Sequence, residues 1–377
     1  VELGNKIGNF LAAVALVTAS VYPAAPALAD QTRNDQWHLR YLNLAQAHQV
    51  TKAAGVAVAV TDSGVFPHRD LTKNLKKGTD TSSGGDGNGS GQTDQVGHGT
   101  NMAGLIAGHG HNVNDGALGV APSAAIIPIK VTGARDNGLG LAAGIEWATT
   151  AGVDVINISA TAAPSRPLSA AVTAAARADI VIVAGTGNES ENIRLAYPAA
   201  LPEVLAVGAI DRNGKIADFS VTGAKVGICA PGMDIVTTGL GNNYDRVDGT
   251  SAATAIVSGA AALVRAKFPD LSAAEVIHRL TATADDNGPP GRDDQCGYGV
   301  LNVVKALTAE VPPLEGGTAV TASAQPSVVA PSVGSSADPE TEAEESNLPV
   351  IAGVAGGIAV LGVLLAFLAR RRRRPTA

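Results

Sequence analysis

Four short segments carry side chains that together could perform acyl-transfer chemistry. In Val58-Ala59-Val60-Thr61-Asp62-Ser63-Gly64 an acid ends an apolar run. In Gly97-His98-Gly99-Thr100-Asn101-Met102-Ala103-Gly104 an imidazole opens a small-residue stretch. In Gly249-Thr250-Ser251-Ala252-Ala253 a hydroxyl follows a glycine turn where another helix is expected. A serine hydroxyl is a weak nucleophile at neutral pH, so an adjacent imidazole must take its proton. His98 suits that task, and a carboxylate such as Asp62 would hold the other ring nitrogen and fix the tautomer. The fourth segment, Val183-Ala184-Gly185-Thr186-Gly187-Asn188, offers a side-chain amide after a glycine-rich turn. An amide donates to a developing oxyanion without adding charge, and one such donor is worth roughly 3–4 kcal/mol in the transition state. Singly each segment reads as an ordinary turn or helix start; it is the combination that carries chemistry.

These groups need elements to bring them together. Near-continuous apolar runs at 56–60, 125–131, 153–158, 180–183 and 204–210 read as strands buried on both faces. Helical patterns lie between them at 98–107, 139–150, 168–177 and 251–267. The alternation predicts an α/β fold: a three-layer, doubly wound, mainly parallel sheet with helices on both faces. Reactive groups in such sheets gather at the carboxyl ends of the strands.

Both ends of the chain read as addressed to a membrane. Lys6, an apolar run from Phe10 to Val21 and the ending Ala27-Leu28-Ala29 describe a secretory signal peptide over 1–29. An uncleaved anchor is the competing reading of that run. Residues 348–369 form an uncharged apolar stretch matched to a bilayer core, followed at once by Arg370 to Arg374. By the positive-inside rule the basic tail, 370–377, stays in the cytoplasm. The expectation is a single-pass cell-membrane protein with its globular part, 30–311, outside the cell. A Pro/Ser/Ala-rich stalk over 312–347 would join that part to the membrane.

The formal charge of −7 argues against a nucleic-acid partner, because phosphate binding needs a basic surface. With 45% hydrophobic and 16% charged residues, the chain can bury a sizeable core. Cys229 and Cys296 would close a loop of 68 residues (229 to 296, both counted) as one disulfide; two buried free thiols are the alternative. No cofactor or metal site is expected. The glycine-rich stretch between Asp80 and Asp94 lacks an ordered calcium-ligand pattern and reads as a surface loop. His109 and His111 likewise read as exposed loop residues. The acidic loop with Asp285, Asp286, Asp293 and Asp294 reads as a solvated turn.

The four segments together resemble the subtilase family, in its Asp, His, Ser chain order. Gly119-Val120-Ala121-Pro122, Gly144-Ile145-Glu146-Trp147-Ala148, Val155-Ile156-Asn157-Ile158-Ser159 and Ala230-Pro231-Gly232 agree, and the similarity runs from about Gln36 to Ala309. The resemblance implies a subtilisin-like fold and a serine endopeptidase acting on peptide or protein substrates. It implies Asp62, His98 and Ser251 as catalytic triad and Asn188 as oxyanion donor. The substrate pocket is expected around Gly138, Leu139 and Gly140, Ser159 and Ala160, and Gly185 and Thr186. Within the family the chain is most similar to the mycosins, membrane-anchored proteases of type VII secretion systems. Only 32 residues (30 to 61) would lie between a cleaved leader and Asp62, too few for the inhibitory propeptide of secreted subtilisins. Two departures stand out. Ala255 and Ile256 replace the family's usual Pro and His after the nucleophile, which removes no catalytic group. Ser159-Ala160-Thr161-Ala162-Ala163 replaces Ser-Leu-Gly-Gly at the substrate edge, which implies a narrower approach and few substrates. The resemblance leaves a second role open, as a mainly structural member of a membrane secretion complex.

Overall fold

The computed structural model describes residues 31–82, 89–112, 114–132, 138–189 and 194–314. The sequence-predicted leader, membrane span and basic tail lie outside these residues, as does the stalk beyond Leu314. Among the described residues no helix is long and apolar enough to cross a membrane.

Among the described residues seven strands form the central sheet: β1 (Ala57–Asp62), β2 (Thr79–Asp80), β3 (Ala125–Lys130), β4 (Val155–Ile158), β5 (Val181–Gly185), β6 (Leu205–Ile210) and β7 (Val226–Pro231). Their order is β2-β3-β1-β4-β5-β6-β7, and every neighbouring pair is parallel. Alternate residues feed two cores. Val58, Val60, Val155, Val181 and Val183 join one apolar cluster, while Ala59, Ile156, Ile158 and Ile182 join the other. Burial on both faces is why these strands are legible as apolar runs. The first cluster includes α4 (His98–Ala107) and α7 (Thr250–Lys267); the second includes α5 (Leu139–Ala151) and α6 (Arg166–Arg177). This is the expected three-layer arrangement. The chain leaves β1 for β3 on one side and later returns to β4 on the other, so the sheet changes direction beside the end of β1. That switch point is where an open α/β sheet forms a crevice, and Asp62 is the last residue of β1.

Several further elements complete the domain. An antiparallel hairpin pairs β8 (Ile235–Thr238) with β9 (Tyr244–Val247). Helix α8 (Ala273–Ala282) starts at a capping box of Ser272 and Glu275, and α9 (Val303–Thr308) is capped by Asn302. Cys229 and Cys296 form a disulfide, settling the two readings of that pair. In the chain-entropy model such a loop is worth roughly 4 kcal/mol.

Residues 31–50 form three short helices, α1 (Gln31–Asp35), α2 (Trp37–Tyr41) and α3 (Leu44–Val50). Tertiary bonds hold them: Arg33 Nε donates to Gly116 O (2.8 Å), Gln36 Nε2 to Leu118 O (3.0 Å) and Val236 O (3.1 Å), and Trp37 Nε1 to Asp234 O (3.0 Å). His38 is fully buried in this strap, and neither ring nitrogen has a hydrogen-bond partner among the described residues. Burial without a partner disfavours the imidazolium and lowers the His38 pKa from 6.5 to about 3. The sign follows. A depressed folded-state value leaves stability intact above pH 6.5 and removes it progressively as pH falls toward the folded value. His38 alone should withdraw about 3 kcal/mol between pH 6.5 and pH 4. His48 and His109, also lowered by burial, add to the same trend. Thermal melts at pH 7 and pH 4 test this: the drop in Tm should shrink in His38→Phe, and an equal drop in both proteins would contradict it.

Candidate active site

The site forms where β1, β4 and β5 end beside the starts of α4 and α7. Thr61 of β1 lies opposite Ile158 of β4, and Ile158 opposite Ala184 of β5, so the three strand ends are level. Asp62 is 2% exposed. Its Oδ1 and Oδ2 lie 2.8 and 2.9 Å from His98 Nδ1, and its Oδ1 also accepts the Ser63 N–H at 2.7 Å. The approach of α4 to this strand end needs glycine at position 99: a Cβ there would sit 2.0 Å from the Gly64 carbonyl oxygen and 3.0 Å from Asp62 Cβ.

Ser251 stands in the first turn of α7, after Gly249 at φ +151°. That backbone conformation favours glycine. The Ser251 hydroxyl donates to Ser159 O at 3.2 Å, and Ser159 Oγ donates back to Ser251 O at 3.1 Å. The exchange ties the start of α7 to the end of β4. Asn157 reinforces it from within: fully buried, it donates to Ser159 Oγ (3.1 Å) and accepts from Ser258 of α7 (3.0 Å). Asn188 follows β5 on a turn whose neighbours bond back to 219–221 through Glu189 N to Phe219 O (2.7 Å) and Val221 N to Gly187 O (3.1 Å). Its Oδ1 accepts from Thr250 N (3.2 Å) and Thr250 Oγ1 (3.4 Å).

Asp62, His98, Asn188 and Ser251 all line one cleft of about 490 Å³. Ser159, Ala160 and Gly185 line it too, with Val96, Thr132, Thr161 and Asp248. Four of the residues expected at the substrate pocket are absent from this lining. Thr186 is turned fully inward, its hydroxyl without a hydrogen-bond partner among the described residues. Gly138, Leu139 and Gly140 form the start of α5, where a Cβ on Gly138 would meet Ala162. No residue of 31–50 lines the cleft. A larger cavity of about 740 Å³ beside Ile277, Arg292 and Tyr298 holds none of these side chains, so chemistry rather than size picks the site.

The loop expectations fare differently. Residues 83–88 of the glycine-rich stretch lie outside the described residues, but Asp94 at its end is not a surface residue: it is 8% exposed and bonded on both oxygens. Nor are His109 and His111 free loop side chains. His111 Nδ1 lies 2.7 Å from the buried Asp70 carboxylate, and His109 Nε2 accepts from Lys73 N at 3.2 Å. Among the described residues no His, Cys, Asp or Glu cluster is arranged to hold a metal ion.

Comparison with known proteins agrees with this geometry. The model of the subtilase family matches residues 53–299. The chain belongs to the subtilase family. Subtilisin DY of Bacillus licheniformis is 40% identical over 263 residues, spanning 68% of this chain and 92% of that protein. Subtilisin BL of Lederbergia lenta is 38% identical over 260 residues, spanning 67% and 92%. In structure the chain is similar to mycosins. For MycP1 with the N-terminal propeptide removed, identity is 33% and the TM-score 0.67, over 73% of this chain and 98% of that one. For the MycP3 protease from the type VII (ESX-3) secretion system the values are 34% and 0.63, over 73% and 88%. This subtilase is therefore a serine endopeptidase with a subtilisin-like fold.

Proposed function

We propose that Asp62, His98 and Ser251 are the catalytic triad and that Asn188 donates to the oxyanion. The observation that carries this reading is His98 Nδ1 held by both Asp62 oxygens in the cleft that Ser251 lines. As Ser251 Oγ bonds to the scissile carbonyl carbon, its proton passes to His98 Nε2 and the carbonyl oxygen becomes an oxyanion. Collapse breaks the C–N bond, the amine leaves with the proton from His98, and water then hydrolyses the acyl ester. With Asn188 Oδ1 engaged by Thr250, its NH2 group is the part of the amide left to face the oxyanion, beside the Ser251 N–H. Asn188→Ala is expected to lower kcat about 10²- to 10³-fold with little change in KM. Steady-state kinetics on a peptidyl p-nitroanilide check this; a loss under threefold would remove Asn188 from the role. A fluorophosphonate probe tests the nucleophile. Peptide mapping should place the label on Ser251, and labelling that persists in Ser251→Ala would refute the assignment.

In the cell, the enzyme is read as anchored to the membrane with its catalytic domain outside, cleaving few substrates during type VII secretion. The uncharged stretch at 348–369 with its arginines and the mycosin neighbours support this. A second reading, a mainly structural member of the secretion complex, is favoured by the altered edge Ser159-Ala160-Thr161. Related MycP1 is described as an essential component of the type VII (ESX-1) secretion system. Complementing a deletion strain with Ser251→Ala separates the two: restored secretion favours the structural role, and lost secretion at normal protein level favours catalysis.

A further inference from the structure

Two side chains collect the first backbone N–H groups of the helix that starts at His98. Asp94, four residues before His98, supplies most of the acceptors. Its Oδ1 accepts from Ser63 Oγ, Val96 N and Gly97 N, each at 2.9 Å. Its Oδ2 accepts from Thr100 N at 3.0 Å and Thr100 Oγ1 at 2.6 Å. All five partners can donate, which suits an acceptor-only carboxylate. Ser63 Oγ in turn accepts from Gly99 N at 3.0 Å, and Thr100 Oγ1 accepts from Phe66 N at 2.9 Å. Such N–H groups have no partner within a helix and otherwise bind water. Here those of Gly97, Gly99 and Thr100 are tied to Asp94 and to Ser63, the residue after Asp62. The start of α4 and the end of β1 are thereby fastened by one buried network.

Resting on the triad reading above, we propose that Asp94 is a positioning residue for the reaction: it sets the His98 imidazole against the Asp62 carboxylate. Asp94 does not line the cleft, so it acts through His98 and not on substrate. The bond it protects is the double contact of His98 Nδ1 with Asp62 at 2.8 and 2.9 Å. A displacement of about 1 Å in such a constellation lowers the rate on the order of 10²-fold. Asp94→Asn keeps the shape but turns an NH2 group toward at least two N–H or O–H donors. The turn must then shift, and His98 with it. Substrate binding draws on other walls of the cleft, so the loss falls on kcat.

The test compares wild type, Asp94→Asn, Ser63→Ala and Ser251→Ala as full chains in detergent. Read for each are kcat and KM on a peptidyl p-nitroanilide, and the downfield proton NMR resonance of His98 Nδ1–H. For Asp94→Asn, folded by circular dichroism, kcat should fall about 30- to 100-fold with KM within about threefold. The downfield resonance should be lost or shifted. A folded Asp94→Asn with wild-type kcat and resonance overturns the proposal. If Asp94→Asn does not fold, Ser63→Ala decides, because it cuts the strand-to-helix link while leaving four donors on Asp94. A loss of about tenfold in kcat upholds the link, and wild-type kcat overturns it. Turnover surviving in Ser251→Ala would overturn the triad reading itself, which is thus scored apart from Asp94.

Discussion

Ser251→Ala is expected to lower kcat about 10⁶-fold, leaving only the slow hydrolysis that binding and oxyanion stabilisation support without a nucleophile. Stability should barely change. The lost contact is one 3.2 Å bond from Ser251 Oγ to Ser159 O, worth about 1 kcal/mol. Meanwhile α7 keeps its buried face, from Ala252 through Val264. Thermal melts should therefore place the variant within about 4 °C of wild type, while single-turnover assays find no acyl-enzyme. A variant that retains even one hundredth of wild-type kcat would mean that another group attacks the substrate.

Asp62→Asn should cost about 10⁴-fold in kcat with the fold intact. The reason is local. Ser63 N–H already occupies Oδ1 at 2.7 Å, so the new amide keeps its oxygen there and presents NH2 where Oδ2 meets His98 Nδ1 at 2.9 Å. That NH2 donates to Nδ1, the ring proton moves to Nε2, and the imidazole can no longer accept from Ser251. Nitrogen-15 NMR should report the Nε2–H tautomer, and KM should stay within about threefold because no substrate contact is lost. Unchanged kcat, or a ring still protonated at Nδ1, would separate Asp62 from the chemistry.

How much of this was legible in the sequence depends on what positions each residue. Strands β1 and β3 to β6 are apolar on both faces, so their runs stand out, and their ends fall within two residues of expectation. Helix α4 matches its predicted bounds, because His98 follows a glycine break and small residues run to Ala107. The hairpin was not legible: Tyr244–Val247 is short and half-exposed, with no apolar run. Helices α2 and α3 lack side-chain caps, and the segment 31–50 is held by bonds from Arg33, Gln36, Trp37 and His48 to residues more than 70 positions away. No local pattern encodes such contacts. Helix α8 did carry a signal, the Ser272-to-Glu275 capping box ahead of Val276, Ile277 and Leu280. Around the site, Asp62, His98, Asn188 and Ser251 were legible because each sits at a strand end or helix start. Asp94 was masked by the glycine-rich stretch before it, and Ser63, its partner across the chain, lies 31 residues away.

The convergence of imidazole and hydroxyl is the central claim, and a peptidyl chloromethyl ketone reads it directly, because one inhibitor molecule must bond to both groups. In a crystal structure of the adduct, the account expects His98 Nε2 bonded to the inhibitor methylene and Ser251 Oγ to the former carbonyl carbon. The resulting oxyanion should lie about 2.7–3.1 Å from Asn188 Nδ2. An adduct on only one of the two residues, with the other out of bonding reach, would contradict it.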